Sequence, residues 1–307
     1  MKERLLVALG GNALIKKGQK GTAQQQLENL KVPIKQIANL LDRYSIVITH
    51  GNGPQVGNLL LQQESCDKVA KMPLDILVAQ TQGQIGFMIE LTLDNELMRR
   101  GYDKKYRFIT VLTYVEVDKN DPAFEEPTKP VGPVYTREEI KNIPYTVKLT
   151  QKGYRRVVPS PFPKRIIEKN EIKMLLENNF IVIACGGGGI PVIKESCGFR
   201  GIEAVIDKDL ASAQLALVVG IDYFIIATDV NKVYLDYNKK TQKALDIITV
   251  KEAEKYMELG QFGQGSMKPK IEAACHFIKN GGKKAVITSI ENIEKALDGK
   301  AGTKIIL

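Results

Sequence analysis

The chain has 307 residues, 44% hydrophobic and 26% charged, with a formal net charge of +9. This is ordinary globular composition, and a core of that size needs no disulfide staples. Cys66, Cys185, Cys197 and Cys275 form no C-x-x-C pair and no cluster with zinc spacing, so reduced thiols in a cytosolic protein are expected. The positive charge does not by itself indicate nucleic-acid binding: basic residues are dispersed, Trp is absent, and no zinc-finger, RNP or basic-zipper pattern occurs. An excess of lysine also suits a site for small anions.

In chain order, residues 5–9 read as a strand buried on both faces. Glu3 spoils the basic region of a signal peptide, and Gly10-Gly11-Asn12 interrupts the apolar run. No run approaches the roughly 18 apolar residues of a membrane span, so a cytoplasmic location is expected. Residues 22–44 read as a helix with a Thr22/Gln25 capping box and apolar positions at Leu27, Leu30, Ile34, Ile37 and Leu41. Pro33 is expected to kink that helix or break it in two. A strand over 46–49 follows, then a long helix over about 74–100, closed by Arg99, Arg100 and Gly101. Strands are predicted over 108–113, 180–184, 223–227 and 285–288. Between them a helix opens near Asp209 and ends near Gly220. Thr249 with Glu252 caps another, and Ser266 precedes a third that ends at Gly281-Gly282. This alternation predicts an α/β protein with an open, mainly parallel sheet covered on both faces, and ligands at the carboxyl ends of the strands. Residues 118–163 are rich in proline and lack apolar periodicity; they are expected to protrude as a small lid.

Glycine turns follow several predicted strands: Gly10-Gly11-Asn12, Gly51-Asn52-Gly53-Pro54 and Gly186 to Gly189, with the Thr228-Asp229 turn after residues 223–227. Glycine lets backbone N–H groups approach an anion closely, and Pro54 suits a helix start. Residues 51–57 almost match the dinucleotide fingerprint G-x-G-x-x-G but have one residue too many, which leaves a dinucleotide-dependent oxidoreductase as the alternative of another class. The Walker A and protein-kinase signatures are absent. Three lysines stand out by context. Lys129 lies among prolines in the suspected lid, Lys208 between Asp207 and Asp209 at a helix start, and Lys270 after Ser266-Met267-Lys268-Pro269 at another. A cation at a helix N-terminus opposes the macrodipole unless an anion is present. Asp207, Asp209 and Asp229 could orient lysines or hold Mg²⁺ through water and phosphate oxygens. His50 and His276 are the only histidines and neither receives a catalytic role.

Together these residues resemble carbamate kinases, members of the amino acid kinase superfamily, nearly end to end. The resemblance rests on Ala8-Leu9-Gly10-Gly11-Asn12-Ala13, on Thr49 through Gly57, and on Pro127-Thr128-Lys129-Pro130-Val131-Gly132. It continues through Arg155-Arg156-Val157-Val158-Pro159-Ser160-Pro161, Ala204 through Ala211, Thr228-Asp229-Val230, and Gly265-Ser266-Met267 with Pro269-Lys270. It implies a three-layer αβα sandwich forming one domain over 1–307, with a protruding lid over 118–163, and a cytoplasmic homodimer. It implies carbamate held in the N-terminal part by Gly10, Gly11, Asn12, Gly51, Asn52 and Gly53. It places ATP or ADP, with Mg²⁺ carried by the phosphates, over the part after about 180, at Asp207, Lys208, Thr228, Asp229, Met267 and Lys270. Lys129, Lys208 and Lys270 would surround the transferring phosphoryl, with Asp209 organising the lysines. The implied reaction joins ATP and carbamate to ADP and carbamoyl phosphate, with ATP formation in arginine catabolism the expected direction. Ala8 occupies the place where kinases for glutamate, aspartate and UMP usually carry a lysine. Another acyl-phosphate kinase of the same fold is the alternative within the class. Two departures stand out: Lys148 to Lys152 replace a usual Glu-Asp-Ala-Gly-Arg, and Lys268 stands where a glycine or apolar residue is common.

Overall fold

The computed structural model describes residues 2–102, 105–150, 153–263 and 266–307. Gln151 and Lys152 of the first departure, and Gly265 of the last motif, lie outside the described residues, as does Met1.

An eight-stranded sheet organises the chain. Across it the strands run Ile247–Thr249, Thr303–Ile306, Lys284–Ser289, Tyr223–Thr228, Glu3–Leu9, Tyr44–His50, Phe180–Ile183 and Arg107–Thr110. All pairings are parallel except that between Lys284–Ser289 and Thr303–Ile306. The pleat sends alternate side chains of the first strand to opposite cores. Leu5, Val7 and Leu9 pack with Leu30, Ile34, Ile85 and Ile89 from helices Ala23–Leu40 and Leu74–Arg99. Leu6 and Ala8 join the core containing Ala211, Leu215, Ile271 and Ala274 from helices Lys208–Val219 and Met267–Lys279. The continuous apolar run at 5–9 thus reflects burial on both faces, each large side chain contributing roughly 1.5–3 kcal/mol. The three-layer αβα arrangement is the one expected.

Local signals end the helices where anticipated. The Thr22/Gln25 and Thr249/Glu252 capping boxes form, and Gly101 and Gly220 take positive φ after their helices. Pro33 does not break its helix: Ala23–Leu40 is continuous, with Pro33 buried inside it. One missing N–H is tolerated there because Leu30, Ile34 and Ile37 lock both sides of the proline into the core. The strand predicted over 108–113 stops at Thr110. Beyond it Gln82 of the long helix holds the chain, accepting from Thr113 N at 2.8 Å and donating to Thr113 O at 3.0 Å.

Residues 118–163 contain more order than their sequence suggests. Strands Lys129–Tyr135, Gly153–Val158 and Val147–Thr150 form a separate antiparallel sheet in that spatial order. Pro130 and Pro133 sit on its edge strand, where a missing donor is tolerated. The strand Pro163–Ile166 belongs to another sheet, beside Tyr114–Val117, Ile190–Glu195 and Gly198–Gly201. Among the described residues no helix is long and apolar enough to cross a membrane.

Candidate active site

Asp207 starts the site by capping helix Lys208–Val219. Its Oδ1 accepts from Asp209 N at 2.9 Å and Leu210 N at 3.4 Å. This turns Asp209 into the core, where its side chain is 3% exposed. Lys208 donates to Asp209 Oδ1, and Lys270 donates to Oδ2 at 2.9 Å. Lys129, arriving from the three-stranded sheet, donates to Asp207 Oδ2 at 2.7 Å. Amines from positions 129, 208 and 270 therefore meet on two adjacent carboxylates. Ser212, one turn along, donates to Lys208 O at 2.6 Å and shares a 2.7 Å hydrogen bond with Thr49, tying the helix start to the second strand.

The charges shape each other. Burial opposes ionisation of Asp209, yet Lys208 and Lys270 outweigh it and hold the carboxyl well below the usual carboxylate range. Burial pulls the Lys208 ammonium below its ordinary value, against the pull of Asp209 and with the repulsion of Lys270. Burial also works against Lys270, but Asp209, Asp207 and Asp229 together raise it. The result is three ammoniums on two carboxylates, Lys208 and Lys270 on the buried Asp209 and the partly exposed Lys129 on Asp207. Such a group carries excess positive charge where the dielectric is low and an incoming anion is strongly favoured.

Parallel register sets the glycine turns beside this group. Leu9 pairs with both His50 and Ala227, so the turns after their strands emerge side by side. A Cβ at Gly51 would lie 3.3 Å from Gly11 N and 3.4 Å from Lys208 Cδ, so the turn packs tightly on the lysine stem. Gly10 donates to Ala227 O at 2.8 Å, and a Cβ there would approach the same oxygen at 3.0 Å. Asn52 donates to Thr81 Oγ1 at 2.9 Å and precedes helix Gly53–Glu64, which has Pro54 in its first turn. His50 is buried with Nδ1 3.2 Å from Gly51 O; burial pushes it down to about 4, leaving it neutral and structural.

Two cavities open here. The larger, about 610 Å³, is lined by Gly11, Gly51, Asn52 and Gly53 together with Lys129, Asp207, Lys208, Asp209 and Lys270. The smaller, about 190 Å³, is lined by Thr228, Asp229, Met267 and Lys270 with Tyr234, Tyr237 and Phe262. Lys270 and Ser266 border both. Gly10 and Asn12 line neither: Gly10 closes the strand end against Ala227, and Asn12 is exposed. Asp207 and Lys208, expected with the nucleotide, line the larger cavity and not the smaller. Gly57, Arg155 and Gly187, and the aromatic side chains of the smaller cavity, were not singled out as binding residues from sequence. Gly187 lies in a recognised glycine turn, but Tyr234 on the short strand Val233–Leu235, and Tyr237 and Phe262 outside regular elements, carry no sequence signal of their own. Lys148 and Lys268 of the two departures make pairs with Glu126 at 3.5 Å and Glu272 at 3.7 Å. Among the described residues no group of three or more His, Cys, Asp or Glu is arranged to hold a metal ion.

A family model, described as the amino acid kinase family, matches residues 3–289. The sequence is 48% identical over 314 residues to the carbamate kinase of Pyrococcus horikoshii, covering 99% of both chains. It is also 48% identical to the carbamate kinase of Haemophilus influenzae, covering 98% of this chain and 96% of that protein. A solved structure of carbamate kinase from Giardia lamblia bound to AMP-PNP is similar with a TM-score of 0.92 at 39% identity, covering 99% of this chain and 98% of that one.

Proposed function

We propose that this chain, which belongs to the amino acid kinase family and within it to the carbamate kinases, transfers a phosphoryl group directly between ATP and carbamate, giving ADP and carbamoyl phosphate. The observation that carries the reading is the meeting of Lys129, Lys208 and Lys270 over Asp207 and Asp209, at the junction of two cavities. The larger cavity, with the Gly11 and Gly51–Gly53 backbone, takes the acyl substrate. The smaller takes the nucleotide base among Tyr234, Tyr237 and Phe262, with the phosphates running towards Lys270. The N-terminal part thus serves carbamate and the part after about 180 serves ATP. The Giardia carbamate kinase structure is bound to AMP-PNP, in keeping with nucleotide in a site of this family.

In this reading Lys208 and Lys270 stabilise charge on the transferring PO₃ unit, in line with direct transfer and no phospho-enzyme. Asp209 fixes both amines, so little reorganisation is needed when charge develops. Lys129 is 33% exposed and comes from the separate sheet over Lys129–Val158. That sheet acts as a lid which brings the third amine in and limits water. Mg²⁺ fits only as a companion of the nucleotide phosphates: Asp207 and Asp209 are engaged by lysines, and Asp229 is the acid of the smaller cavity. Bound there, the ion would neutralise phosphate charge.

ATP formation in arginine catabolism is the proposed direction, because carbamoyl phosphate is a mixed anhydride and an energetic phosphoryl donor. The proposed setting is a cytoplasmic homodimer, for which Ile76 and Phe87, exposed on helix Leu74–Arg99, offer apolar surface. The test is a coupled assay of ATP formed from ADP with carbamoyl, acetyl, glutamyl and aspartyl phosphates. Turnover with carbamoyl phosphate at least tenfold above the others is expected. Preference for another acyl phosphate would overturn the substrate assignment.

A further inference from the structure

A guanidinium in the wall of the larger cavity has no role in the site described so far. Arg155 lies on strand Gly153–Val158, which pairs antiparallel with the strand carrying Lys129. Both residues line the larger cavity, and Arg155 does not line the smaller one. Arg155 Nη2 donates to Gly132 O at 2.8 Å, while its Nε is buried without a hydrogen-bond partner among the described residues. Among those residues no carboxylate forms an ion pair with it. Burial lowers the guanidinium from its ordinary value.

Its neighbour shows the contrast. Arg156 Nε is also buried without a partner, but Arg156 pairs with Glu203 and stacks over Tyr145 at 4.6 Å. Arg156 is therefore compensated within the fold. Arg155 is a half-buried cation in the cavity wall with no ion-pair partner among the described residues, an arrangement that is costly unless an anion arrives. Its anchor also indicates which anion. Gly132 backs onto Gly57, since a Cβ on Gly57 would lie 3.7 Å from Gly132 Cα. Arg155 is thereby tied through Gly132 to the first turns of helix Gly53–Glu64, and it shares the larger cavity with the glycine turn while staying out of the smaller one. A planar guanidinium fork matches a planar carboxylate better than an ammonium does. Carbamate carries such a group.

We propose that Arg155 is a substrate-binding residue that holds the planar acyl group of carbamate and carbamoyl phosphate, leaving the phosphoryl to the three lysines. This rests on the function proposed above and names the side chain that selects its acyl substrate. It also makes the small sheet part of the binding site rather than a simple cover.

Steady-state kinetics of ADP phosphorylation by the full chain tests it with Arg155→Gln and Arg155→Lys. For Arg155→Gln, the KM for carbamoyl phosphate should rise roughly 10- to 100-fold, the factor for one hydrogen bond to a charged group. The KM for ADP should stay within about twofold, and inhibition by inorganic phosphate should be unchanged. Arg155→Lys keeps the charge but loses the fork, and should show a smaller rise in the same constant alone. An unchanged KM for carbamoyl phosphate, or equal rises for both substrates, overturns the inference. Weakened phosphate inhibition overturns the assignment to the acyl group. Melting temperatures are measured alongside; if Arg155→Gln fails to fold, Arg155→Lys decides by the same criteria. A wild-type chain that does not use carbamoyl phosphate would instead sink the proposed function, a result separable from any effect of position 155.

Discussion

The Asp209 cluster and the three-stranded sheet contribute cations to one cavity in opposite ways. Asp209, Lys208 and Lys270 sit at two helix starts against the main sheet, with side chains 3–14% exposed. Their positions are set by packing on both sides. Lys129 reaches the same cavity from a separate sheet, which rests on the body through an apolar cluster of Val131 and Val158 with Val56, Leu60, Leu74 and Val78, and through polar contacts at its far end. One is the pair Tyr135 and Tyr145, whose hydroxyls lie 2.5 Å apart and within hydrogen-bond reach of Glu64 at the end of helix Gly53–Glu64, Tyr145 at 2.6 Å. The difference teaches that one cavity can draw its cations from different material: ion pairs buried on the elements of the main sheet, and a partly exposed amine on a smaller sheet that rests on the body through a few valines and a hydroxyl–carboxylate contact, the sheet whose closure is proposed above.

The largest expected effect breaks the buried side of this comparison. Asp209→Asn leaves two desolvated ammoniums facing a neutral amide. Loss of one partner from a buried pair costs about 3–5 kcal/mol. Urea unfolding should show that loss together with abolished phosphotransfer, and an unchanged midpoint would refute the account of the cluster. Next in size, Lys270→Ala leaves Asp209 paired with Lys208, so the fold should hold. The rate of ATP formation should drop about 10²–10³-fold, as for a lost oxyanion donor. Turnover within a few-fold of wild type would remove Lys270 from the chemistry. The smallest effect probes the latch. Tyr145→Phe deletes the 2.6 Å hydrogen bond to Glu64 and should weaken closure by about 1 kcal/mol. Amide exchange over residues 129–158 should quicken roughly fivefold while the global melting temperature stays within about 2 °C. Equal quickening across the main sheet would mean that the latch is not a local device.

Much of the main fold could be read from local chemistry. The capping residues Thr22 and Thr249 and the glycines at 101 and 220 mark their helix ends within a residue or two, because such signals act over one turn of chain. The three-stranded sheet could not be read in this way. Only Val131, Val157 and Val158 of its strands are buried, too few to impress a regular alternation on the sequence, and its prolines look like breaks until one sees that they lie on an edge. Of the kink or break that Pro33 suggests, the break does not occur, since its helix is held by packing that no local rule counts.

The sequence by itself determined the alternation of strands and helices, the glycine turns at the strand ends and the candidate lysines, because each is written in adjacent residues and in forces that act within a few ångströms along the chain. Only the tertiary structure decided that Lys129 meets Asp207 across 78 residues and Lys270 meets Asp209 across 61. It also separated Gly10 and Asn12 from the cavity and brought Arg155 into its wall. The physical reason is that a parallel sheet gathers its strand ends at one edge whatever their separation in sequence, and which side chains then share a counter-charge depends on register and burial, which no short stretch of chain encodes.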